Sequence, residues 1–106
     1  HPILEQLTKL ALPTAIVVDC SHGNSNKDHN RQGQVAEAVV AQRQLGNKAI
    51  IGLMLESHIH EGRQNIVDGK AALYGVSVTD ACIDWPATDK LLSGLHLQMQ
   101  QVVNAA

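Results

Sequence analysis

Phenylalanine is absent from this 106-residue chain, and Tyr74 and Trp85 are its only other candidates for aromatic packing. A core must therefore be assembled from Leu, Ile, Val and Ala, and stacking on nucleobases has almost nothing to work with. An excess of one charge is lacking too: eight Lys and Arg stand against ten Asp and Glu, a formal net charge of −2. With no basic cluster along the chain there is no electrostatic footprint for nucleic acid, which is not expected as a partner. Long apolar runs are missing as well. The longest, Ala49 to Leu55, has seven residues, against the ~20 that span a bilayer. No membrane partner is expected, and no stretch reads as a signal peptide. The two cysteines, Cys20 and Cys82, lie far apart in no metal or redox spacing. That points to a reduced, cytoplasmic protein rather than a disulfide framework.

What is present suffices for an ordinary core, with 44% hydrophobic residues in a length that holds one domain at most. Pro2 suits a first helical turn, and Ile3, Leu4, Leu7, Leu10 and Ala11 follow at helical spacing until Pro13, which predicts a helix from about Ile3 to Ala11. Ala15 to Asp19 is short, β-branched and apolar on both faces, as in a strand covered on both sides. After the polar turn cluster Gly23-Asn24-Ser25-Asn26, the residues Val35, Ala38, Val39 and Leu45 predict a second helix closed by Gly46. Ala49 to Leu55 is the second strand. Between Ser57 and Asp84 periodicity is lost while Gly62, Gly69 and Gly75 recur, so this is either a long functional loop or a mobile one. Trp85-Pro86 opens a last helix whose apolar stripe is Leu91, Leu92, Leu95, Met99, Val102 and Val103. Tyr74 and Trp85 are expected to pin the loop to that helix.

The order helix, strand, helix, strand, helix is α/β with two parallel strands joined by a right-handed crossover. Two strands do not make a complete sheet with both faces covered. A (β/α)₈ barrel takes roughly 250 residues, so residues 1–106 could supply only two of its eight strands, a single fragment of something larger with no second domain.

Both strands stop abruptly at chemistry-bearing residues. The run Val17-Val18-Asp19-Cys20-Ser21 ends at His22 before small turn formers, and Ala49 to Leu55 ends at Glu56-Ser57-His58. Parallel neighbours lie roughly 5 Å apart, so His22 and Glu56 leave the sheet together at its carboxyl edge, where α/β proteins build metal and catalytic sites. Each residue also has a plainer reading. His22 alone is a turn histidine, Glu56 an exposed strand-end carboxylate, and Asp80 a loop or N-cap aspartate. A carboxylate directly after Leu53-Met54-Leu55 is costly, however, unless it reaches solvent or a cation. His58, His60 and Glu61 form a competing metal site, since alternate residues of an extended segment project to one side. His29, His96 and Lys27 read as solvent-facing. Cys82 reads as a packing residue, with no base to activate it.

Three motifs in order carry a resemblance: Asp19-Cys20-Ser21-His22-Gly23-Asn24-Ser25, Ala49 through Glu56-Ser57-His58, and Ser77-Val78-Thr79-Asp80-Ala81-Cys82-Ile83. With Tyr74-Gly75 and the Trp85 to Leu92 region also in place, the chain closely resembles the carboxyl-terminal part of 3-deoxy-D-arabino-heptulosonate 7-phosphate (DAHP) synthase, bacterial amino-acid-regulated type. The resemblance implies a TIM-barrel transferase of the shikimate pathway, which makes aromatic amino acids, with residues 1–106 as the last two βα units of the barrel. That enzyme condenses phosphoenolpyruvate with erythrose 4-phosphate, releases phosphate and uses a divalent metal. It implies that His22, Glu56 and Asp80 are three of four metal ligands, with His22 and Asp80 catalytic. The fourth, a cysteine, and the phosphate-binding basic residues belong to a segment outside this chain. Cys20 stands where the family has an aromatic residue, and Asp84 where it has glycine.

A shell of thiolate, imidazole and carboxylate suits Mn²⁺, Fe²⁺, Co²⁺ or Zn²⁺ over Ca²⁺ or Mg²⁺. Asp19 and Ser21 flank the ligand, either orienting His22 or as an ordinary polar strand end. The fragment alone is expected to be inactive and, with open strand edges, to associate as a homo-oligomer. Two other classes remain in view: a stand-alone metal-binding or interaction module derived from the barrel, and a small metal-dependent hydrolase.

Overall fold

The computed structural model describes residues 1–105, with side chains through Gln100. Five main elements follow in the expected order: α1 (Pro2–Lys9), β1 (Ile16–Asp19), α2 (Gln32–Gln44), β2 (Ile50–Met54) and α3 (Trp85–Ala105). Two short 3₁₀ turns, Gly23–Ser25 and His29–Arg31, lead from β1 into α2. Pro2 opens α1, and the His1 ring accepts from the Ile3 N–H. The helix ends two residues short of expectation, because Ala11 takes a left-handed backbone (φ 56°) ahead of Pro13. α2 begins at Gln32, upstream of its first apolar residue, and Gly46 at φ 113° ends it. α3 is capped by Asp84, whose carboxylate accepts from the Ala87 N–H at 2.8 Å. Aspartate at this position thus satisfies an open helix donor, which is worth about 1 kcal/mol.

β1 and β2 pair in parallel, Val17 with Gly52 and Asp19 with Met54. The register slips once after the Ile16–Ile50 pair, which leaves Ile51 without a partner. One face of this sheet packs on α2 and α3. Cys20, Ala36, Val40 and Leu95 are buried at the centre, with Val35, Leu53, Leu55, Leu91 and Met99 against them. The buried residues of α2 (Gln32, Ala36, Val39 and Val40) recur at helical spacing, so that helix needs only one covered face. Leu45, expected on that face, lies at the helix end and is exposed, and Leu92 of α3 is exposed as well. Val102 and Val103 lie outside the residues whose side chains are described.

The expectation that β1 is covered on both sides needs correction. Val17 is 61% exposed and Met54, across from Asp19 on the same face, 38% exposed. No described element lies over that face, so the β-branched run of β1 reflects an apolar face that this chain by itself does not fill.

Residues 57–84 are a hydrogen-bonded lobe. Ser57 and Ile83 form a parallel bridge directly beyond β2, with His58 N–H to Ile83 O at 2.9 Å and Ile83 N–H to Glu56 O at 3.0 Å. Gly62 and Cys82 exchange both backbone bonds, at 2.9 and 3.1 Å. The Gln64 carboxamide holds the other strand of the lobe, donating to Leu73 O and Val76 O and accepting from the Leu73 N–H. Backbone pairing does the work expected of the aromatics. Tyr74 is 84% and Trp85 60% exposed, so neither pins the lobe as the sequence suggested.

Gly75 (φ 74°) lets the two limbs of the lobe meet: a Cβ there would stand 2.9 Å from Ile59 Cβ. Gly75→Ala combines that overlap with a left-handed backbone, and should destabilise the protein by about 1–2 kcal/mol. Urea unfolding followed by circular dichroism measures this. An unchanged midpoint, with proteolysis of residues 57–84 no faster, would show that the lobe tolerates the side chain.

Candidate metal centre

Parallel pairing carries both strands out of the sheet at one edge. The last backbone bond between them, Cys20 N–H to Met54 O, is 3.0 Å long. Two residues beyond each partner stand His22 and Glu56. Asp19 shapes the turn between β1 and His22. Its Oδ1 accepts from the Ser21 N–H (2.8 Å) and the Ser21 hydroxyl (2.6 Å), its Oδ2 lies 2.6 Å from His22 Nδ1, and its carbonyl accepts from Asn24 Nδ2 (2.8 Å). Small, turn-forming residues after the strand let the chain fold back this tightly.

This arrangement fixes the ring. With Nδ1–H directed at Asp19, Nε2 points the other way, 3.0 Å from Glu56 Oε1 and 2.8 Å from Asp80 Oδ2. Asp80 comes from the lobe, 58 residues along the chain from His22. One donor atom from each of His22, Glu56 and Asp80 lies within 4.8 Å of the others. The structure therefore brings together the three residues singled out in the sequence, and sets Asp19 and Ser21 against the back of the ring. A cavity of about 170 Å³ opens beside them, lined by Ser21, His22, Lys27, Arg63, Thr79, Asp80 and Ala81.

Electrostatics follow from these distances. The hydrogen bond that the ring donates to Asp19, then that to Asp80, raises the His22 pKa from 6.5 to about 9. Asp19 is lowered from 3.8 to about 2, chiefly by the Ser21 hydroxyl and then the Ser21 backbone. Asp80 is lowered by its bond to His22. Glu56 Oε1, in contrast, is buried and has no hydrogen-bond partner despite lying 3.0 Å from Nε2. A ring nitrogen carries at most one hydrogen, and Nε2 directs its hydrogen at Asp80. A buried carboxylate oxygen left without a donor is costly. A cation removes the conflict, since Nε2 and both oxygens then face it with lone pairs. Donors about 2.1 Å from one cation and at right angles to each other stand about 3 Å apart, which matches both separations. The donor set fits a divalent metal.

The competing site does not form. His58 Nδ1 accepts from the Ile59 N–H, His60 is exposed, and Glu61 lies 3.4 Å from His29. Among the described residues, only His22, Glu56 and Asp80 group closely enough to hold a metal. The extended geometry assumed for 58–61 gives way to the turn of the lobe. His29, expected to face solvent, is only 20% exposed and lies beside Glu61, whereas Lys27 and His96 do face solvent. Both cysteines are free and buried, and burial raises both thiols, Cys20 foremost in the core and Cys82 under the lobe. Both therefore favour the protonated thiol, as packing residues do.

The sequence reading missed Gln32. It is fully buried at the start of α2, accepts from the Glu56 N–H at 2.8 Å and donates to Glu56 O at 3.1 Å. Nothing in its neighbourhood marks it, for a glutamine beside Arg31 and Gly33 reads as a solvated first helical turn.

Fold and site together define a parallel α/β protein with an imidazole and two carboxylates converging at the carboxyl edge of its strands. The chain belongs to the DAHP synthetase I family, whose model matches residues 2–93. It is 52% identical over 102 residues to the Tyr-sensitive phospho-2-dehydro-3-deoxyheptonate aldolase of Enterobacter agglomerans, covering 95% of this chain and 48% of that protein. To the Tyr-sensitive aldolase of Escherichia coli K12 it is 51% identical, across 95% of this chain and 29% of the relative. The solved structure of phospho-2-dehydro-3-deoxyheptonate aldolase from Francisella tularensis SCHU S4 superposes with a TM-score of 0.79 at 38% identity, covering 89% of this chain and 27% of that one. The chain thus spans half or less of the length of these relatives. The resemblance drawn from the three motifs is borne out.

The shifted groups set a pH profile for the metal-free protein. Raising the His22 pKa contributes stability that is complete below 6.5 and lost as pH rises through about 9. Lowering the Asp19 pKa contributes stability that is complete above 3.8 and lost as pH falls through about 2; Asp80 acts in the same direction. Thermal midpoints measured in a chelator should be highest between about pH 4 and 6.5 and fall on both sides. In His22→Gln the alkaline decline should disappear. A profile that keeps it would assign the decline to other groups.

Proposed function

We propose that this chain is the carboxyl-terminal part of a (β/α)₈ barrel transferase that condenses phosphoenolpyruvate with erythrose 4-phosphate, giving DAHP and phosphate. His22, Glu56 and Asp80 are ligands of its divalent metal. The observation that carries this is the convergence on one point of three side chains from three separate motifs, with a buried Glu56 oxygen that no donor in the protein satisfies. Family membership supplies the reaction. Imidazole and carboxylate donors, with a thiolate from outside this segment, suit Mn²⁺, Fe²⁺, Co²⁺ or Zn²⁺.

A cation held there supplies Lewis acidity toward the sugar aldehyde, or toward the water that adds to the enol carbon, where negative charge develops on oxygen. The chain's own residues make that position definite. Asp19 holds the Nδ1 proton of His22 and so keeps Nε2 as the ligating atom, an arrangement common to metal-bound histidines. Ser21 donates to Asp19 and keeps its carboxylate charged and oriented. His22 and Asp80 are catalytic in that they hold the cation beside the reacting oxygen. The exposed face bearing Val17 and Met54 is where further barrel strands, or another copy in a homo-oligomer, would pack. A reducing, cytoplasmic setting agrees with two free thiols. Among the described residues no helix is long and apolar enough to cross a membrane.

Calorimetric titration of the chain with Mn²⁺ or Co²⁺ tests the site. His22→Ala and Glu56→Ala should each weaken binding by about tenfold or more. Loading expels the His22 proton, so wild-type affinity should rise with pH up to about 9. In a polypeptide that carries this segment within the whole barrel, Glu56→Ala should lower DAHP formation at least about tenfold. Unaltered affinity in both variants would place the metal elsewhere.

A further inference from the structure

We infer that Gln32 is the positioning residue of the Glu56 carboxylate, its buried carboxamide fixing the Glu56 backbone at the point where the sheet can no longer do so. The inference rests on the metal reading of His22, Glu56 and Asp80. After Cys20 N–H bonds to Met54 O, β1 turns away toward His22. The next residue of β2 that needs a partner is Glu56, two positions on, and β1 has left. Gln32 fills the place. Its Oε1 accepts the Glu56 N–H at 2.8 Å and its Nε2 donates to Glu56 O at 3.1 Å, a pair of bonds like those a neighbouring strand would give.

Three features make this more than incidental packing. Gln32 is 0% exposed, the largest of the fully buried side chains, so both of its polar ends must be satisfied and Glu56 satisfies both. Glu56 O also accepts from the Ile83 N–H at 3.0 Å, so the Glu56 peptide is held from α2 on one hand and from the lobe carrying Asp80 on the other. The carboxylate beyond that peptide has no hydrogen bond of its own at Oε1. Its place beside Nε2 is therefore set by the backbone, whose carbonyl Gln32 shares with Ile83 and whose N–H Gln32 alone receives. The shorter Asn does not span the same distance, and the similar-sized Met fills the volume but leaves the Glu56 N–H unpaired.

Binding of Mn²⁺ and Co²⁺ to wild type, Gln32→Met, Gln32→Asn, Glu56→Ala and Val40→Ala decides it. Val40 is a core residue of the same helix, and its variant serves as a control for loss of stability alone. The Gln32 variants should weaken metal binding on the order of tenfold, while Val40→Ala stays within about twofold at a similar loss of thermal stability. Wild-type affinity in a folded Gln32→Met, with affinity lost in Glu56→Ala, would overturn the positioning role and leave the metal site standing. Unchanged affinity in Glu56→Ala would instead remove the metal reading. Should both Gln32 variants fail to fold, hydrogen exchange in the unmutated protein still tests the contact: the Glu56 amide should exchange as slowly as that of Cys20 and slow further on adding metal. Exchange at the rate of an exposed loop amide, or no response to metal, would overturn it.

Discussion

Everything at the site depends on the parallel pairing of β1 with β2. Because the strands run the same way and the ladder closes at Cys20 and Met54, His22 and Glu56 emerge at the same edge and at the same height. An antiparallel pair would send them to opposite ends. The lobe then repeats the device: the parallel bridge of Ser57 with Ile83 brings the segment bearing Asp80 to the same edge, so three distant stretches of chain converge there through backbone pairing.

A chain without phenylalanine must order a 28-residue excursion, residues 57–84, by other means. It uses backbone pairs and two side-chain carboxamides. Gln64 bonds to the far strand of the lobe, and Gln32 bonds to the strand end that the ladder leaves open. A carboxamide carries one donor group and one acceptor on one plane, as a peptide does, and so completes a ladder wherever a strand is missing. The core stays small as a result. Cys20, rather than an aromatic residue, sits at its centre between the sheet and the two packed helices.

The metal-free site is under electrostatic tension that the donor set itself explains. Three carboxylates surround one imidazole, which is why the ring holds a second proton to about pH 9. Even so, one buried oxygen of Glu56 is left over. Asp19 is spared this conflict because Ser21 and the far side of the ring satisfy it. The division is geometric: the well-bonded carboxylate of Asp19 orients the ring, and that of Glu56 stands beside the ring with one oxygen unsatisfied.

Apolar periodicity and turn residues placed all five elements and their order, because a helix and a strand each declare their period locally. Abrupt strand ends made His22 and Glu56 legible for the same reason, whereas Asp80 stood out only through the family motif around it. What the chain could not state locally was set by tertiary structure. The open face of β1 reads in sequence like a covered one, since a β-branched run records an apolar face and not what lies over it. His58 and His60 stood as a competing site until the lobe left both exposed. Gln32 carried no signal at all, because its role is to pair with a backbone 24 residues away, and a hydrogen bond to a backbone group asks nothing of the partner's side chain. Local chemistry singled out His22 and Glu56, and the family motif Asp80; only the meeting of β1, β2, α2 and the lobe decided which atoms face one another.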